Sequence, residues 1–166
     1  MKRILKAIQR NRVFYLVNKR YKGTKHFEKK RKLLNKIGFQ IGEGTKIVGP
    51  IECTGKLIIG KGCWIGKNFK VNGNGLVIIG DNCDIAPEVT FQTGTHEIGD
   101  ENRRAGIGKS CRQIVGNGTW IGVRATIINN TRIGNGCVIG ACALVNKNVS
   151  DNTIVGGVPA REIKKL

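Results

Sequence analysis

An apolar residue recurs every six positions through most of this chain, and this spacing limits the possible folds more than any other feature. The series shifts by two residues between Val71 and Ile79 and resumes at Val115 after an interruption. Glycine often follows the apolar residue, and a small side chain often stands four positions after it. The fifteen apolar positions are Ile41, Ile47, Cys53, Ile59, Ile65, Val71, Ile79, Ile85, Phe91, Val115, Ile121, Ile127, Ile133, Ile139 and Val145. Such a repeat predicts a solenoid.

The spacing favours short strands over helices. Side chains of a strand alternate between its faces, so a short strand and a bend direct one large and one small residue inward per hexad. Glycine relieves the bend, where a Cβ would clash. Three hexads close a coil of 18 residues, and stacked coils pair their backbone groups. A helix is excluded by the recurring glycines, and a β-sandwich needs turn signals at another spacing. We therefore expect an all-β, parallel β-helix.

The segments outside the repeat predict three additions to the β-helix. Residues 1–38 have apolar residues at helical spacing and predict a helical cap. Residues 39–156 form the β-helix, and the charged excursion 97–114 predicts an extended loop of functional importance. Residues 157–166 leave the hexad phase and predict a short C-terminal helix.

The N-terminal segment is strongly basic. Residues 1–40 contain 14 of the 29 lysines and arginines, and Glu28 is their only acidic residue. A basic helical cap is one interpretation of this segment. The alternative is that residues 1–36 contact a membrane surface or an anionic polymer.

The cysteines indicate a reducing compartment. The six cysteines lack C-x-x-C spacing, and no signal peptide precedes them, so we expect free thiols and no bound metal. No stretch reaches the roughly 20 apolar residues that span a bilayer. The sequence predicts a cytoplasmic protein, with the inner membrane face as an alternative site of peripheral attachment.

Two regions resemble the hexapeptide-repeat acetyltransferases, in the branch of galactoside, maltose and polysaccharide O-acetyltransferases. One region is His96 followed by the charged loop and Gly116–Gly122, and the other is the ending Ile154–Ile163. The resemblance covers about Ile41 to Lys164. It implies that the β-helix is left-handed, against the general rule for crossovers. It also implies a homotrimer with active sites between subunits.

The resemblance also implies roles for individual residues. His96 corresponds to the catalytic base, and acetyl-CoA is the implied co-substrate. Asn72 and Asn74 fall where the family forms part of the acceptor pocket. The residues implied to bind CoA are Trp120, Val123, Ala141, Asn146, Lys147, Arg161 and Lys164, of which the last two would meet its phosphates. The basic cap differs from the acidic cap of the maltose enzymes, so the acceptor is not carried over.

A histidine suits acetyl transfer from a thioester to a hydroxyl. Its unperturbed pKa of about 6.5 lets it take the hydroxyl proton and return it to the leaving thiolate. We expect direct transfer to a sugar hydroxyl, in surface polysaccharide synthesis. Another small hydroxyl or amine acceptor, such as an antibiotic or an amino sugar, is the alternative.

Other protein classes with this fold or charge are weaker interpretations. A γ-type carbonic anhydrase needs three metal-binding histidines, and the chain has only His26 and His96. A non-catalytic scaffold or ice-binding surface has no use for His96 and its loop. Nucleic-acid binding rests on charge alone, with few aromatic residues for stacking, and is not expected.

Overall fold

The computed structural model describes residues 2–166 and shows a parallel β-helix preceded by helices. The helical elements are α1 (Lys2–Tyr15), a π-helical turn (Leu16–Arg20) and α2 (Phe27–Lys36). Within the described residues, no helix is both long and apolar enough to cross a membrane.

Three parallel sheets form the sides of the β-helix. Sheet 1 contains β1 (Gln40–Ile41), β4 (Lys56–Ile59), β7 (Leu76–Ile79), β12 (Arg112–Val115) and β15 (Arg132–Ile133). Sheet 2 contains β2 (Lys46–Ile47), β5 (Trp64–Ile65), β8 (Asp84–Ile85), β13 (Trp120–Ile121), β16 (Val138–Ile139), β18 (Thr153–Gly156) and the antiparallel β19 (Arg161–Lys165). Sheet 3 contains β3 (Ile51–Cys53), β6 (Phe69–Asn72), β9 (Thr90–Gln92), β14 (Thr126–Ile127) and β17 (Leu144–Val145).

The strand register reproduces the hexad repeat, including its irregularities. Ile41 pairs with Ile59 and Ile59 with Ile79, so the second step absorbs the two-residue shift. Ile79 pairs with Val115, and the intervening residues include a two-stranded hairpin, β10 (Gly94–Ile98) and β11 (Ala105–Ser110). Five coils are complete, and a sixth begins where Val149 pairs with Ile133 of sheet 1 and continues into β18.

The core consists of the residues that the repeat predicts. All fifteen leading positions are buried, the most exposed being Cys53 at 6%. The small positions are also buried and bond from coil to coil. The Cys63 amide donates to Thr45 Oγ1 at 3.0 Å, and the Cys137 amide to Thr119 Oγ1 at 3.1 Å. The expected parallel β-helix is confirmed.

The glycine that follows the leading residue is required by the spacing of the coils. A Cβ added to Gly42 would lie 2.6 Å from the carbonyl carbon of Gly60 in the next coil. Backbone atoms cannot move away without breaking the ladder between coils. The stacked corners therefore select glycine for its missing side chain.

The helices cap the open edge of the first coil with side-chain amides. Asn35 accepts from the Ile41 amide at 2.9 Å and donates to the Ile41 carbonyl at 3.0 Å. Asn18 does the same with Ile51, at 2.9 and 2.8 Å. Each asparagine thus substitutes for a neighbouring strand, on sheet 1 and on sheet 3. The predicted helical cap is present, in two helices.

One sequence prediction for local structure was wrong. Residues 157–166 form no helix, because the chain reverses at Gly157, with φ +97°, and β19 pairs with β18. The backbone groups at the outer edge of β18 thereby find hydrogen-bond partners in β19. The extended loop predicted over 97–114 is a two-stranded hairpin, since residues 94–110 form β10 and β11, and β12 begins at Arg112.

A buried lysine links the cap to sheet 2. Lys30 has no exposed surface, and its Nζ donates to the carbonyls of Gly23 at 2.7 Å and Val48 at 3.0 Å. The ammonium also lies 4.8 Å from the ring centroid of Phe27. Desolvation lowers the pKa of Lys30 from its ordinary value of 10.5 to about 8.

We therefore expect stability to depend on alkaline pH through Lys30. Between pH 8 and 10.5 the folded state has released this proton while the unfolded state retains it, so the free energy of unfolding rises with pH. Denaturant unfolding across this range should show a steeper rise for the wild type than for Lys30→Met. Equal slopes in the two proteins would contradict the assignment.

Candidate functional site

The hairpin of residues 94–110 carries His96 away from the β-helix. His96 pairs with Gly108 across the two strands, and its exposed ring lies over this glycine. A Cβ on Gly108 would come within 3.9 Å of His96 Nε2. Lys109 and Glu97 form an ion pair at 2.6 Å on the same hairpin. The two-stranded support, whose register shifts between His96 and Ile98, and a small residue beneath the ring hold the imidazole accessible.

The root of the hairpin lies against the segment that contains Asn72 and Asn74. Thr93 is fully buried, and its hydroxyl donates to the Asn72 carbonyl at 2.8 Å and accepts from the Gly75 amide at 3.1 Å. Asn72 is half-buried and Asn74 is exposed. Both asparagines therefore lie at the corner from which the hairpin leaves, between sheet 3 and sheet 1.

Gln113 compensates for the interruption that the hairpin makes in the coil. Its buried Nε2 donates to the carbonyls of Gln92 at 3.0 Å, Asn129 at 3.1 Å and Ile127 at 3.1 Å. Sequence reasoning missed this residue. The available signal was a polar side chain in register with Leu57 and Val77, where the repeat otherwise places apolar residues inward.

A cavity at the last coil brings together part of the predicted CoA set. This tail cavity, of about 240 Å³, includes Asn146, Lys147 and Arg161 in its lining. Among the described residues, Asn146 Oδ1 is buried and finds no hydrogen-bond partner. A buried oxygen of this kind is costly unless a donor reaches it. The cavity thus presents this unsatisfied acceptor beside two cations and the carboxylate of Glu162, and fits a polar ligand that carries both donors and anionic groups.

The other predicted CoA-binding positions lie on sheet 2 and on its turns to sheet 3, away from the corner that carries the hairpin. Trp120 stands on the outer face of sheet 2, 56% exposed, between Asp84 and Val138. Val123 and Ala141 occupy exposed turns between sheet 2 and sheet 3. Lys164 is exposed on β19 at the end of sheet 2. One chain therefore does not gather these side chains around His96.

Comparison with known proteins identifies the family. The bacterial transferase hexapeptide (six repeats) pattern matches residues 114–147. The galactoside O-acetyltransferase of Escherichia coli is 32% identical over 145 residues, which span 84% of this chain and 70% of that protein. The chain belongs to the hexapeptide-repeat acetyltransferases. It is an acyltransferase by this membership.

Two other acetyltransferases are also similar to this chain. A solved galactoside acetyltransferase in complex with coenzyme A has a TM-score of 0.84 at 29% identity, over 96% of this chain and 80% of that one. A chloramphenicol acetyltransferase of Klebsiella aerogenes is 38% identical over 112 residues, 66% of this chain and 51% of that protein. The likeness thus extends to enzymes named for a galactoside and for an antibiotic.

We expect Gln113→Leu to loosen the hairpin without unfolding the protein. Leucine fills the site, but three carbonyls lose a donor, which costs about 1–3 kcal/mol. Hydrogen–deuterium exchange should accelerate in residues 94–110, and the denaturant midpoint should fall. Gln40→Leu, at an exposed position of β1, is the control and should change neither quantity. Unchanged exchange of the hairpin in Gln113→Leu would show that Gln113 does not support it.

Proposed function

We propose that the protein transfers the acetyl group of acetyl-CoA to a sugar hydroxyl, with His96 as general base, in the synthesis of a surface polysaccharide. Family membership supports acyl transfer, and the galactoside relative supports a sugar acceptor. The observation that carries the proposal is the accessible imidazole of His96, held over Gly108 on a two-stranded hairpin.

The tail cavity supports binding of the donor. CoA carries phosphates and amides, and these groups match the two cations and the unsatisfied Asn146 Oδ1 in the cavity lining. Lys147 and Arg161 are exposed and free to turn toward phosphates. Acetyl-CoA supplies the acyl group as a thioester. We assign Trp120, Val123, Ala141 and Lys164 to the same ligand by the family resemblance.

The chemical step follows from one base and one thioester. His96 takes the proton of the acceptor hydroxyl while its oxygen bonds to the acetyl carbon. The carbon–sulfur bond then breaks, and the imidazolium returns the proton to the departing thiolate, which yields an acetyl ester and CoA. Asn72 and Asn74, at the hairpin root, hold the acceptor. Direct transfer is supported because five of the six cysteines are buried.

A homotrimer explains why the assigned residues are dispersed in one chain. The hairpin leaves the corner between sheet 3 and sheet 1, whereas Trp120 lies on sheet 2. Parallel prisms packed side by side would bring sheet 2 of one copy against the hairpin of the next. The active site then forms between two copies.

Free-thiol release from acetyl-CoA, across a panel of hydroxylated sugars, amino sugars and chloramphenicol, tests the reaction. We expect a sugar with a free hydroxyl to accelerate release and His96→Asn to reduce the rate by about 10² to 10⁴, the usual contribution of a general base. His26→Asn is the matched control, since His26 lies in the cap. Its rate should stay at the wild-type level.

The panel also distinguishes the alternatives. If only chloramphenicol or only an amino sugar accelerates thiol release, that compound supplies the acceptor group and a sugar hydroxyl does not. If the His96→Asn variant is as fast as the wild type, His96 is not the general base. Release that no acceptor accelerates, with no binding of acetyl-CoA, would favour a non-catalytic scaffold.

Mixing two inactive variants tests whether the site is shared. We expect His96→Asn and Trp120→Ala each to be slow when pure, because each lacks one side of every site. Unfolding and refolding them together should restore part of the activity, since mixed trimers contain some sites with both residues. Refolding each variant alone is the control. If the mixture is no more active than its components, the two residues do not come from different copies.

A further inference from the structure

Helix α1 is apolar on two opposite sides. One side faces the protein, where Val13 is buried and Phe14 packs edge-on against the Phe39 ring at 6.2 Å. At 3.6 residues per turn, Ile4, Ile8 and Tyr15 lie on the other side. Leu5 borders this second side.

The second apolar side is open to solvent. Ile4 is 65% exposed, Leu5 58% and Ile8 59%. A helix packed on a globular protein normally presents charged or polar residues outward. Among the described residues, none covers this face, and a contiguous exposed apolar face of this kind marks an interaction site.

The helical cap that carries this face is strongly cationic. On α1 itself, Arg12 is exposed beside the apolar face, and Arg3 and Lys6 are exposed nearer the side that faces the protein. The single acidic residue of the first 40, Glu28, is already paired, at 2.7 Å with Arg31 and at 3.4 Å with Lys32. The cap therefore retains its excess positive charge and attracts an anionic partner.

We propose that α1 lies flat on a bilayer containing anionic phospholipid, with Ile4, Leu5 and Ile8 inserted at the boundary of the acyl chains. Arg12, which lies between Ile8 and Leu5 around the helix, then contacts the lipid phosphates. A helix with an apolar face and nearby cations binds such interfaces in two ways. Its apolar side chains are buried among the lipids, and its cations are attracted to the anionic headgroups. The 14 residues of α1 are too few to span the roughly 30 Å hydrocarbon core, so the attachment is peripheral.

Two other occupants fit the face less well. An anionic polymer would pair with the cations but gains nothing from three exposed aliphatic side chains. A second copy of α1 would cover the aliphatic side chains but would bring two strongly cationic segments together, which is repulsive. Anionic lipid satisfies the charge and the apolar surface at once.

The position of α1 relates this surface to the catalytic hairpin. The Arg10 guanidinium donates to the Cys53 carbonyl on β3, which attaches the helix to the first coil. The hairpin follows β9, two strands further along sheet 3, a separation of about 10 Å. A docked helix therefore keeps the hairpin near the membrane surface, within reach of an acceptor carried there.

Vesicle co-sedimentation of the full chain tests the proposal. We expect the wild type to sediment with vesicles of phosphatidylcholine and phosphatidylglycerol, and to remain in solution with phosphatidylcholine alone. Ile4→Ser/Leu5→Ser/Ile8→Ser keeps every charge and should lower the partition coefficient by about tenfold or more. Ile163→Ser/Leu166→Ser removes two equally exposed apolar residues on β19 and beside it, and should bind as the wild type does.

Each other result would overturn the proposal. If the wild type does not bind anionic vesicles, anionic lipid is excluded as the partner of α1. Equal binding by the triple serine variant would indicate attraction by charge alone, as to an anionic polymer. A larger assembly in lipid-free solution that the triple variant dissociates would assign the face to a second copy. Circular dichroism confirms that the variants fold, and none of these outcomes depends on acetyl transfer.

Discussion

The hydrogen-bond ladder between successive coils is the interaction on which this structure depends. In sheet 2, for example, the Trp64 amide donates to the Cys83 carbonyl at 2.9 Å and the Trp120 amide to the Cys137 carbonyl at 2.9 Å. Each inner coil forms backbone hydrogen bonds with the coil on either side of it. The first and last coils each lack a neighbour on one side, so their backbone edges there have no strand to pair with. Asn18 and Asn35 satisfy the first coil with paired amide bonds, and β19 satisfies the outer edge of sheet 2.

The same ladder allows the hairpin to be inserted without loss of register. Ile79 and Val115 remain partners although the whole hairpin lies between them. At the corner where the hairpin leaves the coil, the side-chain amide of Gln113 donates to the carbonyls of Gln92 and Asn129. These hydrogen bonds make the corner rigid. A histidine on such a support is held more precisely than one on a mobile loop, and general-base catalysis depends on that geometry.

Sequence reasoning failed where an unpaired backbone edge decided the local structure. The ending of the chain has polar residues at a spacing compatible with a helix, but β18 offers an open edge and β19 pairs with it. The excursion around His96 was expected only as an extended loop, because its residues are polar and charged, and the pairing of its two strands was not foreseen. Neither edge is visible as a pattern of apolar residues.

The sequence by itself determined the β-helix, because a period of six with stacked glycines is compatible with few other backbones. It also singled out His96, as the histidine preceding the interruption. Only the tertiary structure decided how the ends are closed, how Gln113 supports the hairpin and which side of α1 is left uncovered. These features depend on contacts between residues far apart in the chain, which a local repeat does not encode. The separation of Trp120, on sheet 2, from His96, on the hairpin between sheet 3 and sheet 1, has the same origin, because each is placed by its corner or sheet and not by its distance along the sequence.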